Sequence, residues 1–357
     1  MTSTFVIYSL MLIGLALFIL LTAAAYTVWL ERKVASWIQQ RVGPNRVGPF
    51  GLLQPLADVI KLLLKEDIVP HSADKLVHFL APVISVVIAL ITMAVIPFAY
   101  AETEFTAGSS GFLVIADVNI GILYILAIAS IAVYGVTLAG WASNSKYALL
   151  GGLRASAQMV SYELAMGLSV VSVIILTNVT YDGTEFLKPG AIVEAQRGVW
   201  NLFRNPLGFL IFVVCAFAEA NRAPFDLVEA EQELVGGFHT EYSSMKFALF
   251  FVAEYLHVIV ASMLITTLFV GGYLGPFEGL LGVAEWDPLY QLGWGSLWFA
   301  SKTVFFVFVF VWVRWTLPRF KYNQLMDIGW KKFLPLALIN LMFIAAGSAI
   351  YVRYFAS

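Results

Sequence analysis

Long apolar runs dominate this chain of 357 residues, and they constrain its fold more than any other feature. A transmembrane helix needs about 20 consecutive apolar residues, and runs near or above that length recur along the sequence. Charged residues make up only 12% of the chain, against about 25% in soluble proteins. Since backbone groups in lipid must be hydrogen-bonded within their own segment, each run predicts a helix. We predict an all-α membrane protein of about eight transmembrane helices, at residues 5–30, 79–100, 113–141, 156–179, 201–218, 247–275, 293–315 and 333–352.

The sequence shows no low-complexity linker, no clear internal repeat and no soluble domain. The fifth run is the shortest, because Arg204 and Asn205 leave an apolar core only from Pro206 to Ala218. The first has no basic residue before it and is too long for the apolar region of a secretory signal, so we expect it to be retained. The chain predicts a single polytopic membrane domain over residues 1–357.

The basic residues indicate an orientation. Sixteen of the 21 Lys and Arg residues lie in or beside the four connections that follow the odd-numbered runs, and none lies in residues 101–112 or 276–292. Short loops rich in Lys and Arg stay in the cytoplasm. We therefore predict that both termini lie outside the cytoplasm and that residues 31–75 and 219–246 form cytoplasmic loops.

An acidic stretch, residues 219–254, sets the functional question. It holds only two cations, Arg222 and Lys246. Its seven carboxylates are Glu219, Asp226, Glu229, Glu231, Glu233, Glu241 and Glu254. An ionised carboxylate at membrane depth is costly unless it pairs, shifts its pKa upward or relays protons. Acid of this density beside two apolar runs predicts a protein that handles protons.

The sequence carries no redox or nucleotide chemistry of its own. Its one cysteine, Cys215, falls short of the roughly four thiolates of an iron–sulfur cluster and is expected to be a buried apolar residue. His78 and His257 are interpreted as buried or interfacial histidines, with a haem site as the less favoured alternative. A P-loop is absent, and so is a basic and aromatic patch for nucleic acid. We expect no metal or cofactor bound by this chain, so redox input must come from partners.

The first basic connection predicts an amphipathic helix. The turn signal Gly43-Pro44 precedes it. Gln54, Asp58, Lys61 and Lys65 recur at spacings that form one polar stripe, and leucine and isoleucine cover the rest. The segment is too short and too charged to span a bilayer, so we predict an interfacial helix on the cytoplasmic side, with a solvated surface helix as the alternative. Such a helix can frame a lateral opening for an amphiphile.

Several motifs resemble those of a known family, the H subunits of NADH-quinone oxidoreductase. These are the membrane subunits at the heel of bacterial respiratory complex I, equivalent to mitochondrial subunit 1. The motifs are Glu31-Arg32-Lys33, Gln40-Arg41-Val42-Gly43-Pro44-Asn45, Gln54-Pro55 with Asp58 and Lys61, Arg154-Ala155-Ser156-Ala157-Gln158 with Ser161-Tyr162-Glu163, the stretch from Glu219 to Tyr242, and Pro318-Arg319-Phe320 with Gln324-Leu325-Met326. They span almost the whole chain, in order.

The resemblance implies a non-redox subunit of a proton-translocating NADH:quinone oxidoreductase in a bacterial inner membrane, with both termini periplasmic. Ubiquinone would be the substrate, and NAD(H), FMN and iron–sulfur clusters would belong to partner subunits. The implied partners are two hydrophilic subunits that roof the quinone channel, antiporter-like and small membrane subunits, and lipid. The family usually carries Asp where this chain has Asn323, so we assign no ionisable role to that position.

The resemblance also implies roles for individual residues. For the quinone channel we expect Arg32, Gln40, Arg41, Gln54, Asp58, Lys61, Phe225, Arg314 and Arg319. For proton coupling we expect Glu163, Glu219, Glu229, Glu231, Glu233, Glu241 and Glu254. Arg32 and Arg314 would orient the quinone head group or neutralise nearby acids, although most interfacial arginines only anchor a helix. We predict no residue that performs the chemistry itself.

The carboxylates suggest a mechanism. Glu229 and Glu233 share one face if their segment is helical, and close like charges raise each other's pKa, so a new charge on a reduced quinone could shift their protons. Asp226 has an alternative interpretation as a helix cap. Glu163 and Glu254 are intramembrane acids and hence functional candidates, with pairing to a structural partner as the alternative. For Glu163 the flanking Ser161 and Tyr162 could supply such hydrogen bonds.

Two other functional classes fit parts of the sequence. A secondary cation transporter could use the carboxylates directly, but transporters usually show two related halves, which this sequence lacks. The homologous membrane subunit of a proton-translocating hydrogenase or of a plastoquinone-linked complex is a closer alternative. A purely structural anchor has no use for Glu163 or Glu254 in lipid.

Overall fold

The structure is a computed structural model that describes residues 3–101, 111–181, 185–226, 235–276, 283 and 286–355. Over these ranges it is helical, and its one β-type contact is an isolated bridge between Tyr100 and Phe112. The predicted all-α membrane class is confirmed. The helices are α1 (Ser3–Ile38), α2 (Gln54–Leu64), α3 (Lys75–Thr92), α4 (Gly121–Ala142), α5 (Lys146–Thr180), α6 (Pro189–Glu194), α7 (Asn201–Arg204), α8 (Pro206–Glu219), α9 (Ser244–Phe269), α10 (Pro288–Thr316), α11 (Tyr322–Asp327) and α12 (Leu334–Phe355).

Seven helical segments in the described ranges are long and apolar enough to cross a bilayer, where about eight spans are predicted. The remaining predicted span corresponds to α8, which has 14 residues. At 1.5 Å per residue α8 is about 21 Å long, shorter than the roughly 30 Å hydrocarbon core. The short helix α7 precedes α8, and Asn205 separates the two helices. The Asn205 side-chain oxygen accepts a hydrogen bond from the Gly208 amide at the start of α8. The polar pair Arg204 and Asn205 therefore divides the predicted span.

Several helix ends differ from the predicted boundaries. The second predicted span, 79–100, leaves helical geometry after Val95, because Pro97 disfavours a helical conformation at the residue before it. The chain then runs extended, and the third span begins at Gly121 rather than at 113. The sixth ends at Phe269 rather than at 275. Apolar composition alone did not distinguish these extended segments from helix.

Other helices reach beyond their apolar cores. α1 continues through the basic motif to Ile38, and α5 begins at Lys146, ten residues before the predicted span. Only a tight turn at Asn144 joins α4 to α5. Arg154 therefore lies on a helix and not in a loop. We call the end of the bundle that carries Arg32, Lys75, Lys146 and Arg319 the basic end.

The core consists of α3, α4, α5, α8 and α9, which bury apolar residues against one another. α1 and α12 leave most of their apolar surface exposed, as expected of helices that face lipid or other membrane subunits. α2 has the predicted amphipathic composition and buries none of its residues. It lies against the start of α9, where Ser244 Oγ donates to the Leu62 carbonyl oxygen at 3.0 Å. Its position at a membrane interface stays a prediction.

Candidate functional site

A chain of buried charges crosses the basic end of the bundle and begins at Glu31. This carboxylate lies near the end of α1 and is 7% exposed. It accepts a hydrogen bond from Arg314 on α10 in an ion pair, and a second from the Tyr255 hydroxyl on α9 at 2.8 Å. Both oxygens of Glu31 are thus occupied by groups from two other helices. Three helices distant in sequence meet at this single carboxylate.

The second half of this arrangement lies on the other side of Tyr255. The Arg222 guanidinium group lies over the Tyr255 ring, 4.4 Å from its centroid, within the range of a cation–π interaction. Arg222 is 4% exposed and forms an ion pair with Glu254 on α9, with 3.2 Å between Nη2 and Oε2. We call Glu31, Arg314, Tyr255, Arg222 and Glu254 the buried network.

The formal charges of the buried network sum to zero, with two carboxylates and two guanidinium groups around one phenol. Taking charges out of water is costly, and a buried pair is retained only when attraction and hydrogen bonds offset that cost. Removing one partner leaves the other uncompensated, typically at about 3–5 kcal/mol.

A more exposed ion pair extends the network toward α2. Arg32 follows Glu31 on α1, and its Nη1 lies 2.7 Å from Asp58 Oδ2. The Gln54 side-chain amide donates to the other Asp58 oxygen at 3.1 Å. Polar side chains on one face of α2 thus meet the basic motif of α1. Three of the predicted quinone-channel residues, Arg32, Gln54 and Asp58, lie together here.

The segment that follows α8 is fixed by a third set of contacts. Arg319 Nη2 lies 2.7 Å from Asp226 Oδ2, and the Phe320 amide donates to the Pro224 carbonyl oxygen at 3.1 Å. Phe225 is buried between Tyr162 and Phe320, with ring centroids 5.3 and 5.6 Å away. The Asp226 carboxylate is therefore held by an arginine. The helix that it was alternatively expected to cap would lie outside the described residues.

Gln158 holds the same segment from α5. Its side-chain amide donates at 2.8 Å to the carbonyl oxygens of both Ala218 and Phe225. Gln158 is 1% exposed, so these bonds form in a low-dielectric environment, where they are electrostatically strong. The motif on α5 and the motif after α8 are therefore parts of one structural unit.

A second acidic site lies deeper, between α4 and α5. Glu163 accepts a hydrogen bond from the Ser130 hydroxyl on α4, so the expectation that Ser161 or Tyr162 would be its partner is wrong. Ser161 donates to the Ala157 carbonyl oxygen, and Tyr162 donates to the Leu325 carbonyl oxygen at 2.9 Å. Residues one and two positions away on a helix point to other faces, so the partner comes from the facing helix.

Glu219 lies within electrostatic reach of Glu163. It is the last residue of α8 and lines a cavity of about 20 Å³, whose walls include Ile125, Met166 and Phe212. That volume has room for about one water molecule. The Glu219 carboxyl group therefore faces a small, mostly apolar space in the interior, with the Glu163 carboxyl group within electrostatic reach.

The other predicted site residues are not joined to these contacts. Gln40, Arg41 and Lys61 are exposed, and Glu241 is half-buried after the short turn Gly237–His239. Glu229, Glu231 and Glu233 lie outside the described residues, and so does the helix face that Glu229 and Glu233 are predicted to share. Asn323 is exposed on α11. Cys215 is buried, as expected.

Sequence reasoning did not assign a role to Glu31, Tyr255 or Gln158, and it treated Arg222 only as a counter-charge. Glu31 and Tyr255 are adjacent to the predicted site residues Arg32 and Glu254. The residues that they contact are distant in sequence, so the motifs alone did not reveal these contacts. In the ranges that the structure describes, His, Cys, Asp and Glu form no cluster of three or more that could hold a metal ion.

Comparison with known proteins identifies the family. The family model described as NADH dehydrogenase matches residues 10–345. The chain is 56% identical over 340 residues to NADH-quinone oxidoreductase subunit 8 of Rhodothermus marinus, covering 93% of this chain and 94% of that protein. It is 53% identical over 339 residues to the NADH-quinone oxidoreductase H subunit of Salinibacter ruber, with 93% of each chain covered. The H subunit of Leptospira biflexa is 49% identical over 345 residues, or 94% and 92% of the two chains.

Proposed function

The chain belongs to the NADH dehydrogenase family and is a membrane subunit of complex I type, and from this premise we propose that it forms the membrane wall of a quinone-binding channel. The observation that carries the proposal is the buried network, in which Glu31 and Glu254 meet Arg314 and Arg222 around Tyr255. The match over residues 10–345 argues against the secondary-transporter alternative.

The buried network has the chemistry to hold a quinone head group. Guanidinium groups donate hydrogen bonds to carbonyl oxygens and stabilise negative charge that develops on them. Arg314 is only partly buried, with 23% of its side chain exposed, so it can be approached from one side. The carboxylate of Glu31 holds that guanidinium in position. The roles of this chain are thus binding and orientation, while electrons arrive from redox groups in partner subunits.

The polar face of α2 would complete the channel toward the membrane. Arg32 and Asp58 form an ion pair between α1 and α2, and the exposed leucine and isoleucine side chains of α2 suit lipid or an isoprenoid tail. A quinone entering from the bilayer would pass the apolar side of α2 before its head group met these charges. Gln40, Arg41 and Lys61 remain exposed for contact with the hydrophilic partner subunits that we propose at the basic end.

Proton coupling would begin at the carboxylates nearest to this site. A charge on the reduced quinone would disturb the balance of the buried network, and Glu254 and Arg222 would transmit that change toward Glu219 and Glu163. Glu219 lines a mostly apolar cavity and lies within electrostatic reach of Glu163, so these two acids are the next groups that would respond to that charge. The proposed path continues through the carboxylates that follow Glu219 in the sequence, which are Glu229, Glu231, Glu233 and Glu241.

The proposed orientation follows from the basic end. Loops rich in Lys and Arg stay in the cytoplasm, so we infer that the basic end is cytoplasmic, that both termini are periplasmic and that the membrane is a bacterial inner membrane. The site then opens on the side where NADH is oxidised by partner subunits. Labelling of single cysteines introduced at exposed Arg46 and Arg353 in sealed vesicles would test the orientation, since the two should react from opposite sides.

The binding role is tested by Arg314→Met in the intact respiratory complex. Loss of the guanidinium should raise the apparent KM for quinone about tenfold, equivalent to about 1.4 kcal/mol. NADH oxidation with an acceptor that takes electrons before the quinone should stay normal. Arg353→Met, which removes an exposed arginine at the opposite end, is the matched control. An Arg314→Met variant with the quinone KM of the control would contradict the proposal.

Arg314→Met also leaves Glu31 as an uncompensated buried carboxylate, which can impair assembly. The double variant Arg314→Met with Glu31→Gln removes that charge and tests binding without it. It should assemble better than the single variant and still bind quinone weakly. Normal quinone affinity in an assembled double variant would refute the assignment.

A further inference from the structure

A buried ammonium group lies far from the buried network, toward the opposite end of the bundle. Lys302 is near the middle of α10 and is 8% exposed. Its Nζ donates to three backbone carbonyl oxygens, those of Val270 at 2.7 Å, Gly272 at 3.0 Å and Leu274 at 2.6 Å. An ammonium group has three N–H donors, so each finds an acceptor. We call the segment that supplies these oxygens the 270–274 turn.

The shape of the 270–274 turn depends on groups other than Lys302. Gly271 and Gly272 have φ angles of +71° and +50°, which side chains with a Cβ atom rarely adopt. A Cβ atom on Gly272 would also lie 2.5 Å from Val193. The Gly271 amide donates to Gln196 Oε1 at 3.0 Å, and the Gly272 amide donates to the Thr266 carbonyl oxygen at 2.8 Å. The turn itself therefore sets the orientation of the three carbonyl oxygens, and this orientation does not depend on Lys302.

An aromatic ring adds to the environment of the ammonium group. Lys302 Nζ lies 4.8 Å from the centroid of the Trp200 ring, within cation–π range. Converging carbonyl dipoles replace the hydration shell of a monovalent cation, and a π face stabilises the same charge. The three oxygens of the 270–274 turn that accept from Lys302 are neutral carbonyls, the kind of ligand that coordinates monovalent cations in selectivity filters. Potassium and ammonium ions are similar in size and would make similar contacts.

We propose that the 270–274 turn is a binding site for a monovalent cation of potassium or ammonium size, and that the chain fills it with the Lys302 ammonium group. When the side chain is shortened, a free ion of that size occupies the same carbonyl oxygens. The ion would neutralise the carbonyl dipoles at the end of α9, as the Lys302 ammonium group does in the native chain. The site involves neither quinone nor the carboxylates of the buried network, so it goes beyond the proposed function.

The test is Lys302→Ala in the intact membrane complex, with the thermal unfolding midpoint measured in choline, lithium, potassium and ammonium chloride at equal ionic strength. In choline the variant should unfold roughly 3 °C or more below the native complex. Potassium and ammonium should raise its midpoint saturably toward the native value, because an ion that binds only the folded state stabilises it. Lithium should do less, and the native complex should respond equally to all four salts.

Lys246→Ala is the matched control, because Lys246 pairs with a carboxylate, Asp67, at 2.9 Å and not with carbonyl oxygens. Its midpoint should not distinguish potassium from choline. A Lys302→Ala midpoint that is the same in all four salts would overturn the proposal, as would one equal to that of the native complex in choline. The midpoint is read without quinone turnover, so this result is independent of the proposed function.

Lys302→Ser serves as the second variant if Lys302→Ala does not assemble, and the same salt dependence is expected of it. Living cells are rich in potassium, so the proposed site would be filled during assembly of either variant. Failure of both variants to assemble in cells would therefore also overturn the proposal.

Discussion

The Tyr255 hydroxyl donates a hydrogen bond of 2.8 Å to the Glu31 carboxylate, which joins α9 to α1 in the interior of the basic end. The same phenol ring carries the Arg222 guanidinium on its face at 4.4 Å. Tyr255 is thus an uncharged residue that contacts both ion pairs. Its hydroxyl binds Glu31 of one pair, and its ring lies against Arg222 of the other. Its removal tests whether the two pairs act together.

Tyr255→Phe should weaken the coupling without removing a charge. A hydrogen bond to a charged group contributes about 1.5–3 kcal/mol, so we expect a lower unfolding midpoint and a higher apparent KM for quinone. Tyr273→Phe is the control, since Tyr273 also donates to a glutamate, Glu194, but in the loop after α9 at the opposite end. Equal effects of the two substitutions on the quinone KM would exclude a specific role for Tyr255.

The ion pair between Arg222 and Glu254 should show a large coupling energy in a double-mutant cycle with Arg222→Gln and Glu254→Gln. Each single change breaks the same ion pair, so the double change should cost less than the sum of the two single changes. The exposed pair of Lys331 and Asp327 should give a coupling below about 1 kcal/mol. Unfolding midpoints of the assembled complex provide the measurement. Similar coupling energies for both pairs would contradict the buried role.

Ser130→Ala should disturb Glu163 without altering its charge. The hydroxyl of Ser130 donates to the carboxylate, so its loss removes the hydrogen bond that holds the Glu163 side chain in position. We expect fewer protons pumped per NADH, measured with a pH-sensitive dye in proteoliposomes, while NADH oxidation continues. Ser348→Ala, which removes a hydroxyl bonded to a backbone carbonyl on α12, is the control. A proton yield equal to that of the control would count against Glu163 as a coupling residue.

Glu229→Gln and Glu233→Gln test the acidic segment beyond the described residues. If these carboxylates share protons, either change removes a titratable site, so coupled turnover should fall while assembly persists. Blue-native electrophoresis would check assembly, and quinone-dependent proton pumping would check coupling. Native pumping in both variants would refute their proposed role.

Much of the architecture could be predicted from the sequence, because helix formation in a membrane depends on local properties. The apolar runs yielded most of the helices, and the polar stripe Gln54, Asp58, Lys61 and Lys65 indicated α2. The helix ends at Val95 and Phe269 were not predicted, since the apolar residues beyond them resemble those within. Of the site residues, Arg32, Gln54 and Asp58 were expected in one place and lie together. Glu31 was not expected among them.

By itself, the sequence determined the membrane class, the helical fold, the family and the end at which basic residues gather. These follow from composition, from local hydrophobic length and from motifs that are contiguous in the chain. Only the tertiary structure decided which charges meet: Glu31 lies 224 residues from Tyr255 and 283 from Arg314, and Lys302 finds its acceptors in another helix end. Pairing across such separations depends on how whole helices pack, because the partner of a buried charge is the group that the neighbouring helix presents at the same depth.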